Sequence, residues 1–131
     1  MSHFNIFRTN KYQYVSEQEF REKLDMQRFL NAQVLQVFKK KGGVSEKQAP
    51  VEFFFYTDEE DKASNLAIEL NKLGYEVYSI DRLALDGKWS VTGRTQLMKM
   101  TTRTITKWSK QMVELGYQND CDFDGWGTLA E

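Results

Sequence analysis

The chain has 131 residues, 40% hydrophobic and 14% aromatic, with a formal net charge of −1 and one proline. That length and composition suit a single domain with a buried core and exclude a disordered or proline-rich chain. The near-neutral balance excludes a globally basic nucleic-acid protein, and no apolar run approaches the roughly 20 residues of a membrane helix. The charge is unevenly spread: residues 1–50 carry nine Lys and Arg against five Asp and Glu, a net +4, and residues 51–131 a net −5. The lone cysteine, Cys121, cannot form an internal disulfide and favours a reducing compartment. Met1-Ser2-His3-Phe4-Asn5 lacks the charged start and apolar stretch of a secretion signal. A soluble cytoplasmic protein without membrane association is expected.

Ser16-Glu17-Gln18-Glu19 is a capping box, in which the serine oxygen accepts from an early N–H and Glu19 reaches back. Phe20, Leu24, Leu30, Val34 and Phe38 follow near helical spacing and predict the apolar side of a helix of about 25 residues. Lys39, Lys40 and Lys41 suit the negative end of its dipole, and Gly42-Gly43 stops it. A polar loop runs to Pro50. Val51-Glu52-Phe53-Phe54-Phe55-Tyr56 is a β-prone run. Thr57-Asp58-Glu59-Glu60 is a second capping box, and Ala63, Leu66, Ala67, Leu70 and Leu73 form a helical stripe closed by Gly74. Tyr75 to Ile80 alternates as a strand, Asp86-Gly87 signals a hairpin, and Lys88 to Thr92 returns. A third helix runs from a Thr101 or Thr102 cap through Ile105, Trp108, Met112 and Leu115 to Gly116, and Tyr117 to Phe123 alternates as a last strand. Leu73-Gly74-Tyr75 is echoed by Leu115-Gly116-Tyr117. Residues 51–124 therefore read β-α-β twice, an α+β fold: a ferredoxin-like βαββαβ sandwich with two helices on one face of an antiparallel sheet. Residues 1–50, the N-terminal segment and long helix, are expected to pack on or beside residues 51–131, the whole forming one domain.

The end of the chain carries the functional signal. Asp120, Asp122, Asp124, Gly125 and Glu131 satisfy the calcium-loop pattern D-x-D-x-D-G-x5-E. A calcium loop needs a helix running in and another running out. The helix is expected to stop at Gly116, and no exit helix precedes Glu131, so no metal site is expected. Read as a strand, alternation sends Tyr117, Asn119, Cys121 and Phe123 to the core. Gln118, Asp120, Asp122 and Asp124 then line the other face, beside Glu52, Phe54 and Tyr56. Two readings of that face stay open: a solvated surface whose charges discourage edge pairing, or a receptor for arginine-rich partners. Gly125 and Gly127 permit a tight turn, so Trp126 either folds back on the core or meets a partner.

No catalytic set can be assembled. His3 is the only histidine, and there is no Ser/His/Asp or Cys/His arrangement and no Gly-rich phosphate loop. Cys121 has no neighbouring cation in sequence to activate it. Neither an enzyme nor a cofactor is expected. Trp108 and Met112 read as core, and Arg94, Lys99, Arg103 and Lys107 as a solvated face.

The ending Phe123-Asp124-Gly125-Trp126-Gly127-Thr128 resembles the signature of the regulator of ribonuclease activity B (RraB) family, and the element order is similar from about Val34 onward. The resemblance implies a ferredoxin-like fold and a non-enzymatic bacterial protein that binds the scaffold region of ribonuclease E and restrains RNA decay. On that reading Asp120, Asp122, Asp124, Gly125, Trp126, Gly127, Tyr56 and Phe54 form the partner surface. The alternatives are an RNA-binding sheet that stacks bases on Phe54 and Tyr56, which the carboxylates oppose, and a small-ligand or metal-binding domain with the terminal loop as its site.

Overall fold

Helix α1, Glu17–Lys40, begins where its capping box places it: Ser16 Oγ accepts from the Glu19 N–H at 3.1 Å and Glu19 Oε1 from the Ser16 N–H at 2.9 Å. The computed structural model describes residues 13–40 and 48–128, the side chains of 37–40 excepted. Gly42-Gly43, Lys41, the side chain of Phe38, His3 and Glu131 therefore lie outside the described residues. The inward face of α1 differs from the expected one. Phe20 and Leu24 pack against the core, but the positions that continue their row are Gln27, Asn31 and Leu35, all buried, whereas Leu30 and Val34 are exposed. The reason is that Asn31 is fully partnered: its Nδ2 donates to Ser109 Oγ at 2.7 Å and its Oδ1 accepts from Trp126 Nε1 at 2.7 Å. A buried amide whose hydrogen bonds are met can stand where a pattern search looks for an apolar residue.

Strand β1, Gln48–Ala49, pairs antiparallel with β5, Met98–Lys99, as a two-residue ribbon with no sequence signature. Strand β2, Val51–Thr57, buries Val51, Phe53, Phe55 and Thr57 and turns Glu52, Phe54 and Tyr56 to its other face. Helix α2, Glu60–Lys72, buries Ala63, Leu66, Ala67 and Leu70. Leu73 lies just beyond it and is exposed. The second capping box does not form. Thr57 is the last residue of β2, with its Oγ1 donating to Asp120 O at 2.9 Å, and the N-cap Glu59 makes no side-chain cap bond. Gly74, at φ +87°, stops α2 as expected. Strands β3, Glu76–Arg82, and β4, Trp89–Arg94, form the hairpin, closed by Gly87 at φ +73° and the Leu83 N–H to Lys88 O bond at 2.7 Å. Helix α3, Thr102–Gln118, is capped by Thr101, whose side chain accepts from the Thr104 N–H. Strand β6, Asp122–Thr128, ends the described chain.

Gly116 is not a helix stop. Helix α3 continues past it to Gln118, and the strand begins only at Asp122. A Cβ at Gly116 would lie 2.7 Å from Cys121 O and 3.0 Å from the Phe55 ring, so this glycine admits the close passage of helix over strand. The two Leu-Gly-Tyr segments look alike but answer different demands, a positive φ at Gly74 and a tight contact at Gly116.

The main sheet has the order β3-β4-β2-β6, and each neighbouring pair is antiparallel. Each helix-linked pair of strands, β2 with β3 and β4 with β6, thus has another strand inserted between its members. Helices α2 and α3 cover one face. Phe53, Phe55 and Phe123 meet Leu66, Leu70, Ile105, Trp108 and Met112 there in one core cluster. Helix α1 packs against α3, with the Phe20 ring stacked on Tyr117 at 4.4 Å, and reaches the β6 edge rather than crossing the opposite sheet face. The described residues make a mixed α/β protein of three helices and two antiparallel sheets. None of these helices is long and apolar enough to cross a membrane.

Candidate functional site

The face of the sheet turned away from α2 and α3 is built on Glu52, Phe54 and Tyr56 of β2. Arg94, Thr92 and Ser90 of β4 lie opposite them on one side, and Gly127, Gly125 and Asp122 of β6 on the other. Glu52 accepts from the Tyr78 hydroxyl, and burial together with that bond pushes the Tyr78 phenol up to about 12. Arg94 Nε donates to Glu76 Oε1 at 3.0 Å. Phe54 is thus flanked by Thr92 and Gly125, and a Cβ at Gly125 or Gly127 would meet nothing within 4 Å. Gly125, opposite Phe54, and Gly127 thus put no side chain beside its ring.

The three aspartates do not form a row on this face, because α3 continues to Gln118 and the alternation starts only at Asp122. Asp120 sits between helix and strand at φ +59°, a conformation that Asp tolerates better than most residues, and is buried. Its carboxylate accepts from the Tyr14 N–H at 2.9 and 2.8 Å, from the Val15 N–H at 2.8 Å and from Lys62 Nζ at 2.7 Å. Lys62 also donates to Asp58 Oδ1 at 2.8 Å. Burial alone would lower the Lys62 ammonium, but the bonds to Asp120 and Asp58 outweigh it and hold its pKa above the ordinary value. Asp120 is therefore a clasp that fastens the segment before α1 to the end of the sheet.

Asp122, the first residue of β6, is half-buried opposite Tyr56. Burial raises its carboxyl, Lys23 of α1 at 3.4 Å opposes the rise, and the charges of Asp124 and Glu19 add to it. Asp124 is the extra residue of a bulge between the Phe55–Phe123 and Phe54–Gly125 pairs and is exposed. Gly125 occupies φ +142°, closed to most side chains. Trp126 lies opposite Phe53 and gives its indole N–H to Asn31, so it is tied into the α1–β6 seam and half-buried there. Between Asp122 and the α1 residues Glu19, Glu22, Lys23 and Met26 lies a groove of about 270 Å³, with Tyr14 and Lys88 at its end. The Lys88 ammonium stands 5.3 Å from the Tyr14 ring centre. Lys23 escaped the sequence reading because nothing in its local pattern names a partner ninety-nine residues away.

The calcium-loop pattern fails on the strand itself. Asp122 to Thr128 is paired to β2 from Tyr56 back to Val51 and cannot wrap an ion. Among the described residues no three His, Cys, Asp or Glu side chains gather as a metal site. Cys121 is buried, its thiol directed to the carbonyls of Lys62 and Asn119.

These features define a small mixed α/β protein whose main sheet, among the described residues, has one face free of helices and whose edge strand carries the distinctive Asp-Gly-Trp-Gly bulge. The chain belongs to the RraB family: the family model described as Regulator of ribonuclease activity B matches residues 29–128, from within α1 to the end of β6. Proteins named Regulator of ribonuclease activity B are similar to it at modest identity. That of Sodalis glossinidius is 26% identical over 110 residues, 82% of this chain and 75% of that protein. That of Photobacterium profundum is 28% identical over 95 residues, covering 69% and 70%. That of Shewanella denitrificans is 22% identical over 100 residues, covering 75% and 78%.

Proposed function

We propose that this protein is a non-catalytic cytoplasmic regulator that binds a ribonuclease and restrains RNA decay. In this reading its target is the scaffold region of ribonuclease E. Family membership supports the regulatory role. The observation that carries the surface is the sheet face that no helix covers among the described residues, where Phe54 and Tyr56 lie beside Asp122 of the β6 edge and Asp124 is exposed nearby. An arginine guanidinium can lie over either ring while a carboxylate accepts its fork of N–H groups. Asp122 is suited to this, because a partly desolvated carboxylate gains more from an incoming cation than a hydrated one does. The same carboxylates oppose an RNA backbone, which favours a protein partner.

Within this reading Gly125 and Gly127 keep the flank of Phe54 open, and Trp126 and Asp120 act indirectly, by holding the bulge and the N-terminal segment in place. The strand order β3-β4-β2-β6 supports a ferredoxin-like sandwich with α1 added beside α3, the whole folding as a single domain. Direct titration of the full chain against a ribonuclease E scaffold fragment tests the reading. Replacing Asp122 and Asp124 together by Asn is expected to weaken binding about tenfold or more, in the range of charge-assisted contacts. Unchanged affinity would overturn it.

A further inference from the structure

We propose that the groove between α1 and the outer edge of β6 receives an extended, basic segment of the partner as an added β-strand. The inference rests on the ribonuclease-binding reading above and specifies how the partner would be held.

Two contacts fix the geometry. Lys23 Nζ lies 3.4 Å from Asp122 Oδ1, and Trp126 Nε1 donates to Asn31 Oδ1 at 2.7 Å. Eight helical residues separate Lys23 from Asn31, a rise of about 12 Å, and four strand residues separate Asp122 from Trp126, a rise of about 13 Å. Helix α1 therefore runs alongside β6, in the same direction and in step with it. Among the described residues β6 pairs with β2 alone, so its other edge faces outward. Such an edge is a template for a further strand unless it is blocked.

The flank of α1 on the Lys23 side is apolar and exposed. Lys23 marks the side of α1 that leans over β6. Leu30 and Val34, seven and eleven positions later, lie within about 20° of it around the helix. Met26 borders the same side. Met26 is 51%, Leu30 39% and Val34 47% exposed, an unusual outlay of large apolar side chains on one helix flank. The three recur every four residues, about 6 Å apart along the axis. On an added strand, side chains of one face recur about every 6.7 Å. The two repeats match closely enough for three apolar residues of the guest to meet Met26, Leu30 and Val34 in turn.

The guest's other face would meet carboxylates. Asp122 and, on the bulge, Asp124 stand on the β6 side, and Glu19 and Glu22 of α1 close the head of the groove. This calls for Lys or Arg alternating with apolar residues in an extended chain, the recognition mode in which main-chain bonds give affinity and alternate pockets give specificity. A second copy of this chain fits less well, since its β6 carries Asp122 and Asp124 and would bring carboxylates, not cations, to a groove already lined by carboxylates. Gly127, which has an ordinary φ and open space where a side chain would stand, leaves room for a close backbone approach.

The test uses the full chain and an eight-residue peptide alternating arginine and valine, blocked at both ends. A second peptide of the same sequence carries N-methyl groups on alternate residues along one edge, which removes its donors but keeps every side chain. The unmodified peptide is expected to bind and to slow hydrogen exchange of β6 amides. The N-methylated peptide, and a Leu30→Gln/Val34→Gln variant, are each expected to bind about tenfold more weakly. Equal binding of the two peptides, or none of either, would overturn strand addition, and the peptide comparison needs no variant to fold. Titration of the scaffold fragment separates the two claims. If its binding depends on Asp122 and Asp124 but not on Leu30 and Val34, strand addition fails and the regulator reading stands. If neither pair matters, the regulator reading fails.

Discussion

Replacing Asp120 by alanine is predicted to be the most damaging single change outside the aromatic core. Its side chain accepts from two backbone N–H groups and one ammonium, all at 2.7 to 2.9 Å, and is 8% exposed. Hydrogen bonds to a charged group contribute about 1.5 to 3 kcal/mol each. Three such bonds would sum higher than the expected loss. Lys62 keeps Asp58 at 2.8 Å, however, and the half-buried Tyr14 N–H can turn to water. Alanine at φ +59° adds about 1 kcal/mol of backbone strain. The expected loss is about 4 kcal/mol for Asp120→Ala and about 2 kcal/mol for Asp120→Asn, which tolerates the left-handed conformation and retains one acceptor. A domain of this size holds only about 5 to 15 kcal/mol in all. Urea unfolding gives the losses from the shift in midpoint at constant m-value, and the Tyr14 and Val15 amides should lose hydrogen-exchange protection. A loss below about 0.5 kcal/mol for the alanine variant would refute the clasp, because an ordinary surface substitution costs that little.

Gly116→Ala is expected to cost about 1 to 3 kcal/mol by thermal or urea unfolding, since the new methyl would press on Cys121 O and the Phe55 ring. Asn31→Leu is expected to lose about 2 kcal/mol despite its apolar side chain, because Trp126 Nε1 and Ser109 Oγ each lose their Asn31 partner; the shift in urea midpoint reads the loss. Asp122→Asn is expected to leave stability at pH 7 unchanged or raised. The folded-state pKa of Asp122 lies above its ordinary value, so its ionisation costs stability as pH rises from about 4 through that value. Melting curves at pH 3 and pH 7 should show the variant gaining on the parent chain only at the higher pH.

Much of the architecture is legible in the sequence, and the misreadings share a cause. The β-prone run from Val51 to Tyr56, the cap at Ser16, the Asp86-Gly87 hairpin and the Gly74 stop rest on local physics and appear where they are expected. The inward face of α1 departs from its apolar pattern because burial there is granted by polar partners distant in sequence, Ser109 and Trp126 for Asn31. The expected aspartate row does not form because Gly116 serves packing and not helix termination, so β6 starts later and Asp120 lies outside the alternation. The β1–β5 ribbon is too short to carry a period. At the proposed surface the sequence points to Phe54, Tyr56 and Asp122, but Gly125 and Gly127, expected in a turn beyond the last strand, lie within β6, with a bulge just before Gly125. The joining of Asp122 to Lys23 and the exposed α1 flank could not be read from the sequence, since that depends on how one helix lies against one strand.

The most direct test of the account is the rate at which ribonuclease E cleaves an RNA substrate in the presence of stoichiometric amounts of this protein. The account predicts that the parent chain slows cleavage and that the folded Asp122→Asn/Asp124→Asn variant does so far less. No slowing by the parent chain, or equal slowing by both, would contradict it.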